Sequence, residues 1–235
     1  MARAEILGRI GQLFRRLNMH AFSTLRPVEI MTRLAATSDH GRERVSIFCP
    51  ACDRLRGNAF DSLVLLPIHD ANGRLLSELR NRIARPNQLF AGVLALDPFR
   101  RHADILKVIE TSGCSGIANF PSITAIDGEM RVSLEGFGCG ATTEINLLRS
   151  AVAKGFSALA VVDSLGMAQE AVTIGVSGLI AARHANDSMF ADLSKLAQET
   201  RLGLLRLPSA VGAPDLACSD NPHNGHSAAY EEKPA

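Results

Sequence analysis

The chain has 235 residues, 46% of them hydrophobic and 21% charged, which is a folded composition with enough apolar material for one sizeable core. Its 25 Lys and Arg residues nearly balance 24 Asp and Glu, so no net field draws it to nucleic acid or to an anionic membrane. Aromatic residues make up 5%, with no Trp and a single Tyr230, which argues against base-stacking platforms and aromatic sugar sites.

The first twenty residues carry Arg3, Arg9, Arg15 and Arg16, but Glu5 interrupts them and no continuous apolar region follows, so a targeting peptide is not expected. Ile6, Ile10, Leu13, Phe14 and Leu17 fall at helical spacing and predict a packed surface helix. Met19 to Ser23 is a weak strand candidate and Pro27 to Ala36 reads as a helix. Val45 to Cys49 reads as a buried strand, and Ser62 to Ile68 as an apolar run that Pro67 confines to a strand end or an edge. Ala71 to Ile83 is a predicted helix with a stripe through Leu75, Leu76, Leu79 and Ile83.

Further strands are expected at Phe90 to Leu96, Gly116 to Phe120, Ala158 to Val162, Ser177 to Ala182 and Leu202 to Leu207. Helices are expected between them at about 101–111, then at Thr143 to Lys154, Met167 to Thr173 and Met189 to Thr200. Strands separated by helices make a parallel α/β sheet, of about seven strands, the default. A doubly wound open sheet satisfies the same alternation. Residues 1–207 are expected to form one domain and 208–235, rich in Pro and small polar residues, a disordered tail. No apolar run approaches the roughly 20 residues that span a bilayer. Five scattered cysteines suit a reducing, cytoplasmic compartment better than a disulfide framework.

In parallel architectures ligands bind where strands end and helices begin. Arg54, His69, Asp70, Asn72, Asp97, Arg100, Asp127, Glu135, Glu144, Asp163, Arg183 and His184 all follow predicted strands, and Asn119 lies in one. Carboxylates there suit a hard cation such as Mg²⁺, and arginines suit a substrate carboxylate or phosphate. The plainer reading is that these groups cap helices, as Asp97 before Pro98 suggests. The connection from Asn119 to Gly140 is long, and its glycines permit close backbone approach to a ligand; covering the barrel mouth or making a dimer contact are the structural alternatives. Cys49-Pro-Ala-Cys52 has redox or zinc spacing, but no second ligand pair stands near it in sequence, so structural cysteines are expected.

Asn119-Phe120-Pro121, Ile126-Asp127-Gly128, Arg131, Leu134-Glu135, Gly138, Gly140, Glu144 and Arg149 resemble the signature stretch of the phosphoenolpyruvate hydrolase-like TIM-barrel family. Asp97-Pro98-Phe99-Arg100, Leu65-Leu66-Pro67 with Asp70-Ala71-Asn72, and Arg54 resemble further motifs of that family. The resemblance implies a (β/α)₈ barrel, here incomplete at about seven strands and shortened at its C-terminal end. It also implies Mg²⁺ and an enolate-like oxyanion. Asp70 and Asp97 would then hold the metal, Asp127, Glu135 and Glu144 would move protons, and Arg54, Asn72, Arg100, Asn119 and Arg131 would bind a small carboxylate or enol-type ligand.

The departures point the other way. The glycine-rich loop of the family after its first strand has no counterpart in residues 21–26, and its later histidine falls on Ala182. Two functions are therefore expected to compete: a metal-assisted enzyme, and an inactive barrel that senses a ligand or serves as a scaffold. An incomplete barrel should also leave a sheet edge, which predicts a homo-oligomer or a tail covering that edge.

Overall fold

The computed structural model describes residues 28–34, 45–55, 57, 59–80 and 88–211. The expected N-terminal helix, the strand at 19–23 and nearly all of the tail lie outside these residues.

Seven parallel strands form one sheet in strict chain order. They are β1 (Glu29–Met31), β2 (Ser46–Phe48), β3 (Leu89–Gly92), β4 (Gly116–Ala118), β5 (Ser157–Val162), β6 (Gly178–Ala181) and β7 (Gly203–Arg206). The helices among the described residues are α1 (Phe60–Leu63), α2 (Ala71–Leu79), α3 (His102–Glu110), α4 (Gly128–Gly136), α5 (Ala141–Ala153), α6 (Leu165–Thr173) and α7 (Asp187–Thr200). This is a curled, incomplete α/β TIM barrel. The amide of Val28 donates to the Arg206 carbonyl at 2.9 Å, so the two ends of the sheet touch at one hydrogen bond.

The period-two alternation of a strand divides the core into two shells. Ile30, Ile47, Phe90, Ala118, Leu159, Val161, Ile180 and Leu205 point inward, and together with Phe60 and Phe120 they fill the barrel. Met31, Phe48, Leu89, Ala91, Ile117, Ala158, Ala160, Val162, Leu179 and Ala181 point outward against helical residues such as Leu75, Ile105, Leu148, Ala168 and Leu193. Small residues on the outer face of β5 let the helices pack close. Gly116 is fixed by the neighbouring strands instead, since a Cβ there would stand 2.1 Å from the Ser157 carbonyl oxygen and 2.9 Å from the Phe90 ring.

Three local expectations are corrected. Residues 29–31 are strand rather than helix, because pairing with Ser46–Phe48 outweighs local helical preference. The run at 62–68 is not a strand: it ends α1 and enters a 3-10 turn at Pro67–His69, with Leu63, Leu66 and Ile68 exposed. The connection from Asn119 to Gly140 is not an open loop, since it holds a 3-10 turn at Ile123–Ala125 and the whole of α4.

Candidate functional site

At the carboxyl ends of β3 and β5 the chain repeats one device. Asn72, in the first turn of α2, accepts the Leu94 amide at 3.0 Å and donates to the Leu94 carbonyl at 2.9 Å. The same Nδ2 donates to Asp97 at 2.9 Å. Asn119, just past β4, accepts the Val161 amide at 2.7 Å, donates to the Val161 carbonyl at 3.1 Å, and donates to Glu144 at 2.7 Å. In each case a buried amide satisfies a strand end that has no further backbone partner and then orients a carboxylate.

Asp97 also accepts the Phe99 amide at 2.8 Å and Arg100 at 3.1 Å. Burial alone would raise its carboxyl, but the hydrogen bonds from Phe99, Asn72 and Arg100 and the guanidinium charge outweigh it and hold the group below its ordinary range. Arg100 reaches on to Asp70 at 2.8 Å. Asp70 has left-handed backbone (φ 40°), a conformation Asp tolerates, and caps α2 by accepting the Gly73 amide at 3.2 Å. Both metal candidates are thus bound to one arginine.

Glu144, on the first turns of α5, is fully buried at 0% exposure. Its Oε2 accepts from Asn119 and from Ser122 at 2.8 Å, and its Oε1 accepts the Ile123 amide at 2.7 Å. Burial pushes its carboxyl up to about 7, against the opposing pull of those three donors and of Arg131. Arg131, on α4, donates to Glu135 at 2.6 Å, to the Ile123 carbonyl at 2.7 Å and to Asp163 at 3.1 Å. It ties an otherwise exposed helix to the barrel; no residue of α4 is buried.

An open groove of about 990 Å³ lies beside Arg131, lined by Asp127, Glu129, Glu135, Asp163, Ser164 and His184 among others. Four carboxylates there face one guanidinium, so the groove is acidic. Asp127 is exposed at the N-cap of α4. Arg54 stands apart from every one of these groups, with its side chain 88% exposed and Asp53 3.8 Å away. The sequence-derived set therefore separates into an Asp70–Asn72–Asp97–Arg100 cluster, an Asn119–Glu144 cluster, an Arg131–Glu135 pair near Asp127, and a solitary Arg54.

Sequence reasoning missed Asp61, which is buried and paired with Arg183 across the barrel mouth at 3.0 Å. The only signal was one carboxylate inside an apolar run. It also missed Ser122, whose hydroxyl serves both Glu144 and the Thr124 amide. The residues present do not fit the family-implied Mg²⁺: among those described, no three His, Cys, Asp or Glu side chains are grouped to hold a metal ion. Asp70, Asp97, Glu135, Glu144 and Asp163 already accept from arginine or amide groups. No described helix is long and apolar enough to cross a membrane.

The family model described as phosphoenolpyruvate hydrolase-like matches residues 35–196. An uncharacterized protein of Sinorhizobium fredii, y4oT, is 67% identical over 194 residues, covering 83% of this chain and 99% of the relative. A putative transcriptional regulatory protein of the same organism, y4pA, is 31% identical over 180 residues, 74% of this chain and 29% of the relative. The ToMV resistance protein Tm-1 of Solanum lycopersicum is 39% identical over 90 residues, 37% of this chain and 12% of the relative. By its matched length and by the strand-end motifs that carry it, the chain belongs to the phosphoenolpyruvate hydrolase-like family.

Proposed function

We propose that this chain is a catalytically inactive barrel that works as a ligand-sensing or scaffold protein. One observation carries the reading: four of the five carboxylates that would hold a metal or move a proton are spent on internal donors, and the fifth, Asp127, is exposed at the N-cap of α4 without a side-chain capping bond. Asp70 and Asp97 accept from Arg100, Glu135 from Arg131, and Glu144 from Asn119, Ser122 and Ile123. Groups so engaged brace the loops of the mouth. The cytoplasm is the proposed compartment, supported by free thiols at Cys49, Cys52, Cys114 and Cys139. A homo-oligomer is proposed from the exposed apolar side chains of the rim, Ile68, Phe99, Met130 and Phe137.

A second reading is favoured by Glu144 alone. A carboxyl held near neutrality is what a general base needs. In that reading the protein acts on a small carboxylate or enol-type ligand with a divalent metal such as Mg²⁺. A thermal-shift screen with Mg²⁺ or Mn²⁺, pyruvate and phosphoenolpyruvate, alone and together, separates the two, because a ligand that binds only the folded state raises Tm with its concentration over Kd. A scaffold gives no shift, and a sensor shifts with the keto acid without metal. A shift that needs metal and keto acid together, accompanied by product, would overturn the proposal.

A further inference from the structure

Cys49 and Cys52 are not absorbed by either reading. They leave β2 into a 3-10 turn at Pro50–Cys52, and the Cys52 amide donates to the Cys49 carbonyl at 3.1 Å. A turn closed by that bond brings its first and last Cα atoms within about 7 Å, inside the span a disulfide bridges. The two sulfurs stand 3.6 Å apart, with the Cys52 thiol donating to the Cys49 sulfur. A shift of roughly 1.5 Å would bring them to bonding distance.

Both side chains are buried, at 1% and 0% exposure, among Ala51, Phe60 and Val64 on the inner side of the sheet. Water is nonetheless close in sequence: the Asp53–Arg54 turn follows at once, Arg54 has φ 69°, and its side chain is 88% exposed. We propose that Cys49 and Cys52 form a reversible dithiol–disulfide couple, oxidised by hydrogen peroxide or a small disulfide and reduced by a dithiol.

With peroxide, the Cys49 sulfur attacks one oxygen, the O–O bond breaks, and the products are a Cys49 sulfenic acid and water. The Cys52 sulfur then attacks the Cys49 sulfur, a second water leaves with the thiol proton, and the S–S bond forms. Two electrons pass from the thiols to peroxide and the atoms balance. The order follows from the hydrogen bond, since the thiol that donates keeps its proton and resolves. Its contact with Cys49 first, then burial, then the nearby Asp61 all push the Cys52 thiol up, which agrees with that role. The same burial slows attack, so minutes to hours of exposure are expected rather than seconds. None of this depends on whether the barrel turns over a substrate.

The test uses the full-length chain carrying Cys114→Ser, Cys139→Ser and Cys218→Ser, folded and exposed to hydrogen peroxide, then denatured, alkylated and weighed. The expected product is a monomer lighter by two hydrogens with no alkylatable thiol, fully restored by dithiothreitol. Adding Cys52→Ser should instead leave a Cys49 sulfenic acid that dimedone traps. Titration against mixtures of oxidised and reduced dithiothreitol should follow a single two-electron transition. Two thiols still alkylatable after prolonged exposure of the folded chain would overturn the proposal, and so would a disulfide found only between chains.

Discussion

Arg183 and Asp61 lie 122 residues apart and meet through two parallel hydrogen bonds, Nε to Oδ2 at 3.0 Å and an η nitrogen to Oδ1 at 3.2 Å. Asp61 is buried, while Arg183 keeps about a third of its side chain in solvent. The pair joins the segment after β2 to the segment after β6, and so tethers opposite sides of the barrel mouth.

Removing the guanidinium strands a carboxylate without its charged partner. Arg183→Ala should therefore cost roughly 2–3 kcal/mol, below the range for a fully buried pair because Arg183 is partly hydrated. Replacing both partners, Asp61→Leu with Arg183→Met, should recover most of that loss, since no unpaired charge remains. Urea unfolding of the two variants checks this; a double variant as unstable as Arg183→Ala would sink the account.

Glu144 imposes a pH dependence of a definite sign. Its carboxyl rises from an ordinary 4.5 to about 7 in the folded state, so between those values the folded chain holds a proton that the unfolded chain gives up. Stability is then greatest at the acid end of the window and falls as pH rises through it, by roughly 3 kcal/mol in all. Asp97 acts oppositely and elsewhere: its lowered carboxyl supports stability above 3.8, and that support fades as pH drops through its folded value. Unfolding free energies measured across pH 4.5 to 7 should slope downward in the wild type and lose that slope in Glu144→Gln. A slope that survives in Glu144→Gln would assign it to another group.

The twin asparagines predict equal sensitivity at two separate places. Asn72→Ala leaves both backbone groups of Leu94 without a partner and takes one of two donors from Asp97 Oδ2, which keeps Arg100; Asn119→Ala does the same to Val161 and to Glu144 Oε2, which keeps Ser122. Each should cost roughly 2–4 kcal/mol, from about 1–3 for each buried group left unsatisfied, tempered by relaxation. Native-state hydrogen exchange should show the Leu94 amide released in the first variant and the Val161 amide in the second. Equal release of both amides in either variant would mean global rather than local loosening.

The alternation of strands and helices was legible from Val45 onward because β2 to β6 are buried on both faces and read as apolar runs. Residues 29–31 misled because a three-residue strand owes its form to its partner across the sheet, Ser46–Phe48, with Val28 just before it held by the Arg206 carbonyl. The stretch 62–68 misled for the opposite reason: Leu63, Leu66 and Ile68 face solvent at the rim, and only Val64 is buried, as part of a helix end. Helix α4 was hidden since it buries none of its residues and so carries no stripe to find. At the site, Asn72, Asp97, Asn119 and Glu144 could be placed at the mouth from strand order alone. What most of them bond to could not, because Asn72, Asn119 and Ser122 reach Asp97 and Glu144 across 22 to 25 residues and only through the fold.

The exposed rim supplies a prediction about assembly. Phe99 and Phe137 are 82% and 85% exposed, on the segments after β3 and β4, with Ile68 and Met130 on the same end of the barrel. Side chains so open contribute little to the fold, so Phe99→Glu with Phe137→Glu should change unfolding free energy by no more than about 0.5 kcal/mol each. If the rim is where copies meet, the added charges must be desolvated on association, and the complex should weaken at least tenfold. Sedimentation velocity over a range of concentrations reads the shift directly. A wild type that sediments as a monomer at every concentration removes the rim as an interface between copies; a variant that associates as strongly as the wild type moves that interface elsewhere.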